Sequence, residues 1–144
     1  MSWKTSNGIL FLAAACLAGC DSGESSKSEQ EREHTSSPAA QLVRSFYAAA
    51  NDADGAEACG LLTDAGIQTV VRVSTRTDCV RTVNGFQAGS FGTGEDELVE
   101  VEGVDEAEDG FDVDAVVKGR SEGTYSVVRR GGRLLIDGFE FEEG

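Results

Sequence analysis

The stretch that decides the fold is Phe111-Asp112-Val113-Asp114-Ala115-Val116-Val117, in which apolar residues alternate with two aspartates and a valine. Successive side chains of a strand point to opposite faces of a sheet, so this period of two predicts a strand with one buried face. The same period recurs in residues 97–102, 124–127 and 134–137. The C-terminal half is therefore predicted to form four strands.

Short, turn-rich connections separate these runs, at residues 105–110, 119–123 and 130–132. Links of this length join antiparallel neighbours, which predicts a four-strand meander with one face buried. Gly138 is expected to mark a β-bulge ahead of Phe139 and Phe141.

Apolar residues in the first half recur at spacings of three and four, as in amphipathic helices. Ser37-Pro38 supplies a hydroxyl N-cap and a proline at the first helical position, and Asn51–Gly55 ends the helix. A short second helix is expected over 58–62, a third capped by Thr63, and a fourth over 79–86. The predicted fold class is α+β, with N-terminal helices packed on a twisted antiparallel sheet in a single domain, residues 38–144.

The N-terminus has the features of an export signal. Lys4 precedes an apolar run over residues 8–19, and small residues lead into Cys20. The run has 12 residues, whereas a membrane-spanning helix needs about 20. We expect residues 1–19 to be a signal peptide whose removal leaves Cys20 as the first residue of a membrane-attached protein. The alternative is an ordinary signal peptide, whose cleavage releases the mature protein in free form.

Leu17-Ala18-Gly19-Cys20 resembles a bacterial lipoprotein signal. The resemblance implies that Cys20 receives a diacylglyceryl group and an amide-linked acyl chain such as palmitate, and becomes the first mature residue. Durable anchoring at a membrane needs more than one acyl chain, which this modification supplies, so the expected location is the extracytoplasmic face of the cell membrane. Asp21–Ser37 has six serines and no large apolar residue, which predicts a flexible tether spanning roughly 20–25 Å.

The chain is strongly acidic. Its formal charge is −14, and removal of residues 1–19 takes away only Lys4 among the charged residues, which leaves −15. Nucleic acids and anionic lipid heads are bound through basic patches, so neither is an expected partner. His34, the one histidine, lies in the tether.

The order of helices and strands resembles the nuclear transport factor 2-like fold, and within it a class of small exported actinobacterial lipoproteins. The resemblance is carried by Val43–Ala50, Cys59–Thr63, Cys79 and Tyr125–Asp137. It implies a cone between the helices and the sheet. The family often has Trp where Arg133 or Leu134 falls here.

We expect a non-enzymatic domain that binds a small apolar ligand in this cone or an envelope protein on its sheet face. The candidates to line the cone are aromatic, with ordinary core packing as the alternative for each: Phe46, Tyr47, Phe86, Phe111 and Tyr125. Enzymes occur in this fold, so an isomerase, dehydratase or hydrolase-like activity using a carboxylate in the cone is the competing hypothesis. The domain contains no histidine, and the sequence indicates no cofactor.

Cys59 and Cys79 remain once Cys16 is cleaved off and Cys20 is lipidated. Two cysteines in an exported domain most often pair, which predicts a disulfide. A redox role is the alternative, but no Cys-x-x-Cys pair is present to lower a thiol pKa.

Glu95–Asp114 contains 11 acidic residues and no basic one. Carboxylates are calcium ligands, but Asp105–Val116 does not fit an EF-hand loop, because Ala107 and Val116 fall at ligand positions. We expect a solvated sheet face and turn rather than a metal site; weak divalent binding stays open.

Overall fold

In the described part of the chain, four helices precede four strands. The structure, a computed structural model, describes residues 36–74, 77–86, 99–117 and 122–142. The helices are α1 (Pro38–Asn51), α2 (Gly55–Gly60), α3 (Asp64–Arg72) and α4 (Cys79–Phe86). The strands are β1 (Val99–Ala107), β2 (Gly110–Val117), β3 (Glu122–Arg130) and β4 (Arg133–Phe141). The predicted α+β class, helices followed by a four-stranded antiparallel sheet, is confirmed.

Helix α1 begins and ends where its sequence dictates. The Ser37 hydroxyl accepts a hydrogen bond from the Ala40 N–H at 3.1 Å, and Pro38 occupies the first turn. After the helix, Ala53 adopts a left-handed conformation with φ of 57°, a region that alanine rarely visits. The chain thereby turns directly into α2.

Helix α2 ends at Gly60, earlier than the sequence predicts, because the following residues pair with the sheet. The Ile136 N–H donates to the Leu61 carbonyl and the Thr63 N–H donates to the Ile136 carbonyl, both at 2.9 Å. Leu62 thus forms a parallel bridge with Ile136 of β4. Thr63 caps α3 as expected, since its hydroxyl oxygen accepts from the Gly66 N–H at 3.1 Å.

The sheet has the order β1-β2-β3-β4, and every neighbouring pair is antiparallel. Two of its connections are two-residue turns, Glu108-Asp109 and Gly131-Gly132. The segment 105–107, predicted as part of a turn, continues β1 instead, because it stays in register with residues 110–112 of β2. Gly131 and Gly132 have φ of 56° and 79°, the positive values that a tight hairpin of this type requires.

Two bulges set which side chains face the helices. In β1 the register shifts between Val101 and Gly103, so the extra residue Glu102 returns Val104 to the inner face opposite Val113. In β4 the pairs Ser126–Gly138 and Val127–Ile136 leave Asp137 as the extra residue. The predicted bulge is therefore present one position before Gly138.

The core lies between the helices and the inner face of the sheet. Helix α1 packs across β1, β2 and β4, and α3 packs on β4. The largest side chains less than 2 % exposed come from both halves of the chain: Tyr125, Ile136, Val43, Val70, Val83, Val113, Val117, Val127 and Thr82.

A disulfide joins α2 to α4. Cys59 and Cys79, the pair expected from the sequence, are bonded, with their Cα atoms 6.3 Å apart. A second tie lies beside it, since the Asn84 side-chain oxygen accepts a hydrogen bond from the Gly55 N–H at 2.8 Å. The short helix α2 is thus held against α4 near both of its ends, by the hydrogen bond at Gly55 and by the disulfide at Cys59.

Replacing Cys59 and Cys79 together by alanine should lower the free energy of unfolding by about 3 kcal/mol, because the bridge restricts a loop of about 20 residues in the unfolded chain. Urea unfolding of the oxidised protein measures this. Reductant should shift the parent protein to the same midpoint and leave the double variant unchanged. A parent midpoint that is insensitive to full reduction would contradict a stabilising bridge.

Gly110→Ala should lower the free energy of unfolding by about 2 kcal/mol or more. A Cβ at this position would collide with the Val127 carbonyl oxygen on the neighbouring strand. Gly60→Ala is the matched control, because nothing lies within 4 Å of its Cβ position. That variant should be unchanged or stabilised by up to about 1 kcal/mol. Equal decreases in the free energy of unfolding of the two variants would show that the close approach of β2 and β3 at Gly110 is not the cause of the destabilisation.

Candidate functional site

Two tyrosine hydroxyls meet at the centre of the core. The Oη atoms of Tyr47 on α1 and Tyr125 on β3 lie 2.6 Å apart and share a hydrogen bond. Their rings pack edge to face, with centroids 5.9 Å apart. Phe139 and Phe141 of β4 extend the cluster, at 5.8 and 6.2 Å from the Tyr125 ring. This aromatic cluster joins the helical half of the domain to the sheet.

Three of the five predicted lining residues belong to this packed interior. Phe46, Tyr47 and Tyr125 are 3 %, 4 % and 0 % exposed, and the Phe46 ring lies edge to face against Tyr47 at 5.1 Å. A pocket wall needs surface that a ligand can reach. The structure therefore brings these residues together as core, which is the alternative that the sequence left open.

Of the other two candidates, the structure describes the side chain of Phe111 alone. Phe111 is half-buried at the start of β2, and the Arg129 guanidinium lies over its ring, 6.0 Å from the centroid. The side chain of Phe86, the last residue of α4, is outside the described residues. The four described candidates thus do not form one surface.

Buried polar chemistry is sparse in the described part of the domain. Apart from the hydroxyls of Tyr47 and Tyr125, Thr82 is the one buried polar or charged residue there, and its hydroxyl donates to the Asp78 carbonyl at 2.8 Å. Every aspartate and glutamate in residues 36–74, 77–86, 99–117 and 122–142 keeps contact with solvent. A carboxylate base held in a desolvated interior is therefore not found in these ranges.

The acidic stretch falls partly outside the described residues, since Glu95–Glu97 precede β1. Its described part places carboxylates on the outer sheet face, where Thr124 donates to Asp114 at 2.7 Å and Ser126 donates to Asp112 at 3.2 Å. Asp105 lies directly opposite Asp112. Within the described ranges, no group of three or more potential ligands is arranged to hold a metal ion.

A concave surface lies where the two tight hairpins meet, and we call it the hairpin-end depression. It has a volume of about 480 Å³ and is formed by residues 106–111, Arg129, Gly131 and Gly132. The sequence analysis missed it, because it noted the two turns separately. Only the strand order brings the acidic first turn beside the arginine-flanked second turn.

No protein-family model, curated protein or solved structure matches the chain. In the described part of the chain, no helix has the length and apolar character needed to cross a membrane. Cys20 and the tether predicted over 21–37 lie almost wholly outside the described residues, so the lipid attachment stays a prediction.

Tyr47→Phe and Tyr125→Phe should each lower the free energy of unfolding by about 1 kcal/mol, because each leaves a buried hydroxyl without the partner seen here. The double variant should lose less than the sum, since it removes both hydroxyls together. Urea unfolding of the parent, the two single variants and the double variant measures this coupling. Strictly additive losses would contradict the shared hydrogen bond.

Proposed function

We propose that the protein is a lipid-anchored lipoprotein on the extracytoplasmic face of the cell membrane. Its domain binds a small ligand or a partner protein and has no enzymatic activity. The anchor is supported by the charged start, the short apolar run and the small residues before Cys20. The Cys59–Cys79 disulfide supports an oxidising compartment.

The observation that carries the proposal for the domain is its filled interior. Phe46, Tyr47 and Tyr125, which would line an open cone, instead contact one another with at most 4 % of their surface exposed. Recognition is therefore assigned to the outer surface of the domain. The competing enzyme hypothesis needs a base and a proton donor beside a substrate cavity, and the described ranges bury no carboxylate that would serve.

The nuclear transport factor 2-like architecture is the finer part of the proposal. It is supported by the order of the elements along the chain, with the helices before the strands. It is also supported by the packing of α1 across β1, β2 and β4. In this domain the space between helices and sheet serves as a hydrophobic core. The tether carries that domain away from the membrane surface, so both faces of the sheet end are open to molecules of the envelope.

Cys20→Ala should abolish lipid attachment in the bacterial host, because no thiol is left at the predicted lipidation position. Incorporation of labelled palmitate should be lost, and the protein should leave the detergent phase of a phase-separation assay. Cys16→Ala is the matched control, since this thiol lies within the apolar run that is removed with the signal peptide. It should keep both the label and the detergent phase.

A parent protein that carries no label and stays in the aqueous phase would contradict the anchor and favour an ordinary cleaved signal. Label that persists in Cys20→Ala would place the lipid on another residue.

A further inference from the structure

The hairpin-end depression combines two charged turns that are far apart in sequence. Strands β2 and β3 are neighbours, so the Glu108-Asp109 turn and the Gly131-Gly132 turn lie at the same end of the sheet. The Arg129 N–H donates to the Asp109 carbonyl at 3.1 Å and ties one hairpin to the other. The depression is therefore built on backbone pairing.

Opposite charges face this depression from different hairpins. Glu106, Glu108 and Asp109, which are acidic, line it from the first hairpin, and Arg129, which is basic, lines it from the second. The guanidinium lies over the Phe111 ring at 6.0 Å. Among the described residues the structure pairs it with that ring and with no carboxylate, so the charges remain separate.

The Gly131-Gly132 turn adds backbone N–H groups to the side of the depression that Arg129 lines. Gly131 and Gly132 carry no side chain, and nothing lies within 4 Å of the positions that their Cβ atoms would occupy. An anionic group can therefore approach this turn and accept hydrogen bonds from backbone N–H groups beside Arg129. At the other side of the depression, Gly110 of β2 lies directly against the Val127 carbonyl of β3. Because Gly110 has no side chain, the two strands can approach each other closely there.

This distribution of charge selects a class of ligand. Three acidic residues and one arginine give the depression a net negative charge, which repels a simple anion, whereas a simple cation is attracted but offers no partner for Arg129. A molecule with both charges satisfies both sides, and the excess of carboxylates favours a surplus of positive charge on it.

We propose that the hairpin-end depression binds a zwitterion with one carboxylate and two cationic groups, of which a basic amino acid is the simplest. Its carboxylate accepts hydrogen bonds from Arg129 and the turn, and its ammonium groups contact Glu106, Glu108 or Asp109. The inference deepens the proposed function and rests on it, because it places recognition outside the core. The source is a free basic amino acid or the C-terminal lysine of a peptide, which shares the carboxylate and the side-chain ammonium but has an uncharged amide in place of the α-ammonium group.

The test is amide NMR titration of the lipidated full chain in detergent micelles, with two probes that differ in one group. L-lysine carries the carboxylate, whereas cadaverine has the same carbon chain and two ammonium groups without it. L-lysine should shift the amides of Gly110, Gly131 and Gly132 saturably. Cadaverine should bind about fivefold more weakly and leave the Gly131 and Gly132 amides unshifted.

Arg129→Gln should weaken L-lysine binding about fivefold and remove the preference over cadaverine. Arg130→Gln is the matched control: it removes the same charge from the next position of the strand, which does not line the depression. It should change the affinity less than twofold. Tripeptides ending in lysine, with a free or an amidated carboxyl group, distinguish the two sources, since only a peptide site binds the free-acid tripeptide more tightly than L-lysine.

Equal binding of L-lysine and cadaverine, or equal effects of the Arg129 and Arg130 variants, would overturn the inference and leave a nonspecific acidic surface. Absence of saturable shifts at the hairpin ends would also overturn it. The NMR titration tests the ligand site, whereas the palmitate label on Cys20 tests the membrane anchor. Because the two experiments are independent, either proposal can be rejected without affecting the other.

Discussion

The hydrogen bond between the Tyr47 and Tyr125 hydroxyls is the contact on which the rest of the domain depends. It places polar atoms in the middle of an apolar interior, where a hydroxyl is costly unless it is satisfied. Each tyrosine satisfies the other at 2.6 Å, and this fixes how far α1 lies from β3. The surrounding rings of Phe46, Phe139 and Phe141 then fill the space that this distance leaves.

That filled interior determines where function can lie. The described helices and sheet meet over a continuous hydrophobic core. A ligand that entered between them would have to displace packed side chains, and the loss of the packing of one such side chain costs several kcal/mol of folding free energy. The open parts of the domain are its outer sheet face and its hairpin ends. At the hairpin ends the acidic residues of the first turn and Arg129 beside the second turn line a single depression, which is why we propose the binding site there.

Much of the fold follows from local patterns. The alternation around Val113 and the cap at Thr63 depend only on neighbouring residues, and both predictions agree with the structure. Other features depend on partners distant in sequence. Leu62 leaves its expected helix because Ile136 offers an unpaired strand edge, and β1 continues beyond Asp105 because β2 lies beside it. Phe46 and Phe111 look alike in sequence, since each falls at an apolar position of its element, and only the fold places Phe46 in the core and Phe111 at the hairpin end.

The central claim is that, among the described residues, the space between the helices and the sheet is a packed core and not a ligand cavity. Dissolved xenon tests it directly, because xenon enters dry apolar cavities in proteins. The methyl NMR signals of Val113, Val127 and Ile136, which line the interface of helices and sheet, should show only small, linear shifts as the xenon pressure rises. Saturable shifts at these methyl groups would reveal an internal binding cavity and contradict the assignment of recognition to the surface.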